Sequence, residues 1–163
     1  MNGKSIFKPH GWFLIEHRNE AGKLIGLYRI PNGIVDVGMN HILETQFHAG
    51  AQTTTWYIGL VGTWTAFSDA DTMASHAGWS ESTAYTEATR PQWTAGAAAA
   101  RQITNAATVD FSINATAALK GIFVTSDNTK TGGAGTLWAT AAFSSVVNVG
   151  NGDTLKVTYT VSG

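Results

Sequence analysis

The chain has 163 residues, 44% of them hydrophobic, which suits one domain with a single core. It has no cysteine, which excludes disulfides, thiolate metal sites and cysteine nucleophiles. Its net charge of −1, with Lys and Arg scattered, disfavours nucleic acid, whose phosphates call for a basic patch.

Charged residues make up only 13% of the chain, against about 25% in a typical soluble domain. Thr, Ser, Ala, Gly and Asn fill the gap. Such a surface is neutral and hydrogen-bonding, and it suits packing against other proteins. Thr-rich faces are also ordinary in small β domains. No apolar run nears the roughly 20 residues that span a bilayer, so no membrane partner is expected. The N-terminus lacks the apolar stretch of a signal peptide.

Residues 1–11 read as an arm around Ile6 and Phe7, and 12–163 as one β-sandwich domain. Trp12–His17 and Lys23–Ile30 form a predicted hairpin about the turn Asn19–Gly22. Both faces of this hairpin are apolar, so each needs a cover, from the domain's own core or from a partner. Pro31-Asn32-Gly33 breaks the pattern. A helix is predicted over Val37–His48, with Met39, Ile42, Leu43 and Phe47 as its apolar stripe, Asp36 as N-cap and Gly50 as stop. Thr54–Val61 is apolar on both faces and reads as a central strand.

Gly62–Ser82 reads as an irregular, aromatic-rich loop, with a helical turn at Asp69–Ser75. Pro91 places Tyr85–Trp93 at an edge or strand end, and Ala95–Ala100 reads as a loop. Val109, Phe111 and Ile113 then alternate with polar residues, and Leu119–Thr125 follows. In Gly135–Ser144 the alternation turns Leu137, Ala139, Ala141 and Phe143 inward and Trp138 outward. Asp153–Ser162 closes the chain with Leu155, Val157, Tyr159 and Val161 on one face and Thr, Lys and Ser on the other. The fold class is mainly β, an antiparallel β-sandwich or jelly roll with one short amphipathic helix.

Candidate chemistry is sparse. His41, Glu44 and His48 share a helix face, as metal ligands or as a solvated face with a Glu44–His48 pair. Asp69, Asp71 and Asp153 sit in loops, where carboxylates hold calcium or cap turns. No nucleophile elbow, phosphate loop or dinucleotide fingerprint occurs. No catalytic residue, metal or cofactor is therefore assigned. Among the six tryptophans, Trp12, Trp56 and Trp93 read as core. Trp138, on a polar face, is the leading anchor for an interface or ligand.

Several strings together resemble structural proteins of tailed bacteriophages. They are Asn32-Gly33-Ile34-Val35, Gly38-Met39-Asn40-His41-Ile42-Leu43, Thr54 with Trp56-Tyr57-Ile58-Gly59-Leu60, and Asp71-Thr72-Met73-Ala74-Ser75-His76 with Gly78-Trp79. Ala88-Thr89-Arg90-Pro91 with Trp93, Gly135-Thr136-Leu137-Trp138-Ala139 and Gly152-Asp153-Thr154-Leu155 complete the set. The resemblance implies a head decoration (cement) protein, a non-enzymatic clamp on the capsid exterior. Its expected partners are the major capsid protein and itself, as a homodimer or homotrimer. The interface residues expected are Ile6, Phe7, Trp12, Trp64, Trp79 and Trp138. A tail or fibre-associated protein binding host glycan is the alternative.

Overall fold

In the computed structural model, residues 8–163 are described. Strand β1 (His10–Arg18) turns through Asn19–Lys23 into β2 (Leu24–Ile34). Gly22 takes φ +75° there, in the left-handed region that favours glycine. Because β1 starts at His10, the last two residues of the expected arm belong to the sheet. β2 also runs through Pro31-Asn32-Gly33, where a break was expected. Pro31 stands opposite Trp12 and Asn32 opposite Gly11, and pairing with β1 carries the strand past the proline.

Helix α1 (Asp36–Phe47) follows, then β3 (Trp56–Trp64), β4 (Trp79–Ser82), β5 (Gln92–Trp93) and β6 (Gln102–Thr104). The chain ends with β7 (Val109–Ser112), β8 (Ala117–Thr125), β9 (Leu137–Val149) and β10 (Thr154–Ser162). Asp69–Ser75 forms turns and no helix.

The strands make one large antiparallel sheet in the order β4-β3-β8-β9-β2-β1-β10-β6, with β5 also on β3 and β7 on β10. β2 and β9 pair only through Gly33 with Thr140 and Ile34 with Ala139. The sheet curls back on itself about this short junction. Trp93, beside β3, donates its indole N–H to the Tyr159 carbonyl of β10 at 3.2 Å, although four strands separate β3 from β10 in sheet order.

The main core lies inside this curl and includes Phe13, Ile15, Ile58, Leu60, Ile122 and Tyr159. Burying such side chains contributes about 1.5–3 kcal/mol each. A second cluster of Val35, Val61, Met73, Trp79, Phe123 and Leu137 fills the opposite face of β3 and β8, partly under the 65–78 loop. The central-strand reading of Thr54–Val61 agrees with this double burial.

Helix α1 departs from expectation in two ways. Val35 is its N-cap and makes no side-chain cap bond, while Asp36 lies in the first turn, where a negative charge suits the helix dipole. Gly38 packs so closely on β9 that a Cβ there would lie 2.5 Å from the Trp138 carbonyl oxygen. The covered face therefore runs through Gly38, Ile42 and Thr45, so Ile42 of the expected stripe packs on the core while its Leu43–Phe47 side is turned about 100° away. Leu43 and Phe47 are exposed. At the other end the Gly50 N–H bonds the Glu44 carbonyl, so the chain stops near the expected glycine.

Trp138 faces inward, against the expectation from alternation. Val124 pairs with Ala139 and Thr125 with Leu137, which leaves Trp138 as the extra residue of a β-bulge. A bulge resets the period-2 pattern, so Trp138 and Ala139 both enter the core.

Candidate interaction surface

Residues directly opposite in antiparallel strands share a face. The register therefore assembles the outer face of β2, β1, β10 and β7 row by row. One row is Leu27, Glu16, Lys156 and Asp110; the next is Arg29, Leu14 and Thr158; the third is Pro31, Trp12 and Thr160. Charged pairs sit at one end: Arg18 Nη2 to Glu16 Oε2 at 2.7 Å, and Lys156 to Asp110. Toward the other end the Arg29 guanidinium lies 4.9 Å from the Trp12 ring centroid, a cation–π contact.

The apolar part of this face is left open. Ile25 is 52% exposed and Leu27 59% exposed, with Leu24 beside them at the hairpin end. Phe13, Ile15 and Ile30 on the inner side are buried. Among the described residues, then, the chain covers one of the hairpin's two apolar faces and not the other. Ile25 and Leu27 were not singled out from sequence, although the doubly apolar hairpin was the signal that marks them.

The tryptophans divide by location. Trp12 is half-buried on the outer face rather than in the core where it was expected. Trp64 is half-buried near Phe67, with its indole nitrogen enclosed and without a hydrogen-bond partner among the described residues. Trp79 is buried, stacked on His76 at 4.0 Å between centroids, and donates to Asp71 Oδ2 at 3.0 Å. Trp138 is buried and donates to Tyr159 Oη at 2.8 Å. Neither Trp79 nor Trp138 presents its ring as an outer surface. Ile6 and Phe7 lie outside the described residues.

The most heavily bonded polar group is Arg90, which is 1% exposed. Its Nε and one Nη2 proton go to the Glu81 carboxylate at 3.0 and 2.9 Å. The remaining protons go to the Asp127 carbonyl, Asp127 Oδ2 and the Gly132 carbonyl. All five guanidinium donors are occupied, so none is left for a ligand. Glu81 also accepts the Thr131 N–H at 2.6 Å, holding that β-branched residue at φ +58°. Beside it, desolvation and the Glu81 charge push the Tyr85 phenol above its ordinary pKa. The network staples the 127–132 loop to β4.

Apart from Asp69, which is exposed, the remaining polar candidates are engaged within the fold. Glu44 Oε2 and His48 Nδ1 form the helix-face pair at 2.6 Å, while His41 lies edge-on to Trp56. Asp71 caps its own loop through the Ser68 N–H. Asp153 accepts from the Gly150 N–H and from His17 Nε2, the latter at 2.7 Å. Desolvation raises the Asp153 pKa, but the Gly150 and His17 bonds and the His17 charge outweigh it, leaving it below the ordinary value.

A separate apolar cleft opens between α1, β6 and the end of β10. Its outer part, about 410 Å³, is bounded by Pro9, Ile42, Ala98 and Arg101; its inner part, about 210 Å³, ends on Trp56, Trp93 and Tyr159. Ile103, Trp138 and Val161 line both parts. No helix among the described residues is long and apolar enough to cross a bilayer. No protein-family model matches the chain, and no curated protein matches it either.

Proposed function

We propose that this chain is a non-enzymatic virion protein of a tailed bacteriophage that decorates the exterior of the head. On this reading the curled sheet is a β-sandwich, and its outer β2–β1–β10 face packs on the major capsid protein. The observation that carries the reading is the exposed pair Ile25 and Leu27 on a face continuous with Leu14 and Trp12. An apolar patch rimmed by charged pairs has the character of a protein interface. The phage-like strings around Gly38, Trp56, Arg90 and Trp138 supply the kind of partner.

A clamp works by adding buried area rather than chemistry. About 800 Å² per partner is enough for one stable contact. A homodimer or homotrimer would multiply that contact by avidity.

Binding to purified expanded phage heads tests the reading. The chain should saturate the shells and raise their resistance to heat, and Leu27→Asp should abolish occupancy. No binding to shells, together with tryptophan quenching by host polysaccharide, would replace it with the tail or fibre glycan-binding role.

A further inference from the structure

We propose that the outward stripe of helix α1 is a self-association surface, on which a second copy packs its own α1 antiparallel about a two-fold axis at Leu43. The contact is a property of the chain alone and does not rest on the decoration reading. It begins from an inversion within the helix. An amphipathic helix normally lays its apolar stripe on the core. Here Gly38 and Thr45 share with Ile42 the face turned to the protein, while Phe47 is 80% exposed and Leu43 52% exposed. Met39, half-buried, completes the outward line at four-residue spacing. Among the described residues, Phe47 is more exposed than any other large hydrophobic side chain.

The spacing of this line selects the occupant. Met39 and Phe47 stand four residues before and after Leu43, about 6 Å along the axis on either side. In an antiparallel pair centred on Leu43, Leu43 meets Leu43 of the second copy, and Met39 of each copy meets Phe47 of the other. A thioether against an aromatic ring is a favourable contact. A surface that fits itself is what a two-fold interface requires. The charges allow the pairing. α1 contains no Lys or Arg, and its acids are Asp36 and Glu44. The two Asp36 carboxylates fall at opposite ends of the pair, about 20 Å apart and beyond the Debye length of about 8 Å. Glu44 is already paired with His48 at 2.6 Å. A 12-residue helix is about 18 Å long. One pair of such helices falls short of the roughly 800 Å² per partner of a standard interface, so the dimer is reversible and concentration-dependent. The stripe shares no residue with the outer β2–β1–β10 face, so pairing does not consume that face.

Sedimentation equilibrium of the full chain, from micromolar to near-millimolar concentration, should show monomer and dimer in exchange. Leu43→Glu and Phe47→Glu should each weaken the dimer by about tenfold or more, with the Tm of the dilute protein unchanged. The chain has no cysteine, so single substitutions report the geometry by oxidation. Leu43→Cys, on the axis, should cross-link to itself. Met39→Cys alone should not, but it should cross-link with Phe47→Cys when the two proteins are mixed. A monomer at every concentration, a trimer, or an unweakened dimer in both Glu variants would overturn the proposal. So would a fall in dilute Tm that matches the loss of dimer, or self-cross-linking of Met39→Cys as fast as that of Leu43→Cys.

Discussion

Trp138 of β9 donates its indole N–H to the phenolic oxygen of Tyr159 in β10 at 2.8 Å. The same oxygen accepts from Asn32 Nδ2 at 3.1 Å, so one hydroxyl ties β2, β9 and β10 together at the curl of the sheet. Tyr159 is fully buried, and desolvation raises its phenol above the ordinary pKa despite the opposing effect of those two bonds. Tyr159→Phe should destabilise by about 1–3 kcal/mol, because two donors in the interior lose their acceptor. Urea unfolding of the single variant and of Tyr159→Phe with Trp138→Phe checks this. The second change should then cost little more in hydrogen bonding.

Arg90 and Glu81 are 1% and 4% exposed at their side chains. Removing one partner leaves a buried charge uncompensated, so Arg90→Met should cost about 3–5 kcal/mol. Arg90→Lys should also destabilise, since an ammonium has three donors and cannot reproduce the five-donor fork. Replacing both partners, Arg90→Met with Glu81→Leu, should recover part of the loss. Equilibrium unfolding of the three variants measures it.

The two-residue turn before β6 places Ala100 at φ +49° and Arg101 at φ +62°. Reciprocal Ala99–Gln102 backbone bonds at 2.9 Å close it as a tight hairpin. Asn-Gly is the preferred pair for such turns, and the left-handed region costs other residues roughly 1–2 kcal/mol each. Ala100→Asn with Arg101→Gly should therefore stabilise by about 1 kcal/mol, raising Tm by about 2–4 °C in a chain of this size. Differential scanning calorimetry detects that shift.

Asp153 has a folded pKa below its unfolded value, so its ionised form favours the native state. That contribution is fully present above the ordinary carboxylate pKa of 3.8 and is lost as pH falls through the lower folded value. Asp153→Asn should lower stability at neutral pH and flatten its decline below about pH 4. Stability measured from pH 2 to 7 for both proteins compares the slopes. Equal slopes would show that Asp153 carries no such linkage.

Ile25→Ser and Leu27→Ser remove side chains that are already more than half exposed. Such surface changes should alter stability by no more than about 0.5 kcal/mol. Loss of shell occupancy at unchanged Tm would locate the binding free energy in this face. A matching fall in Tm would instead assign both side chains to the fold.

Periodicity alone made much of the architecture legible. Leu155, Val157 and Tyr159 alternate with Lys156 and Thr158, and burial follows that alternation because strand side chains have a period of two. The hairpin turn at Asn19–Gly22 and the doubly buried β3 were readable for similar local reasons. Short β6 was not, because three residues carry too little pattern. Trp138 was misdirected because a bulge is set by pairing with β8, a partner distant in sequence. Gly38 turned the helix stripe through a close contact with β9 that no helical pattern announces.

The candidate surface divides in the same way. That the β1–β2 hairpin has two apolar faces, and that the chain is poor in charge, follows from the order of its amino acids. Which face the core takes is set by strand pairing and the curl of the sheet, which leave Ile25 and Leu27 in water and bring Trp79 and Trp138 inside. The reason is that a side chain's direction follows from strand register and bulges, but its exposure follows from what the sheet curls around.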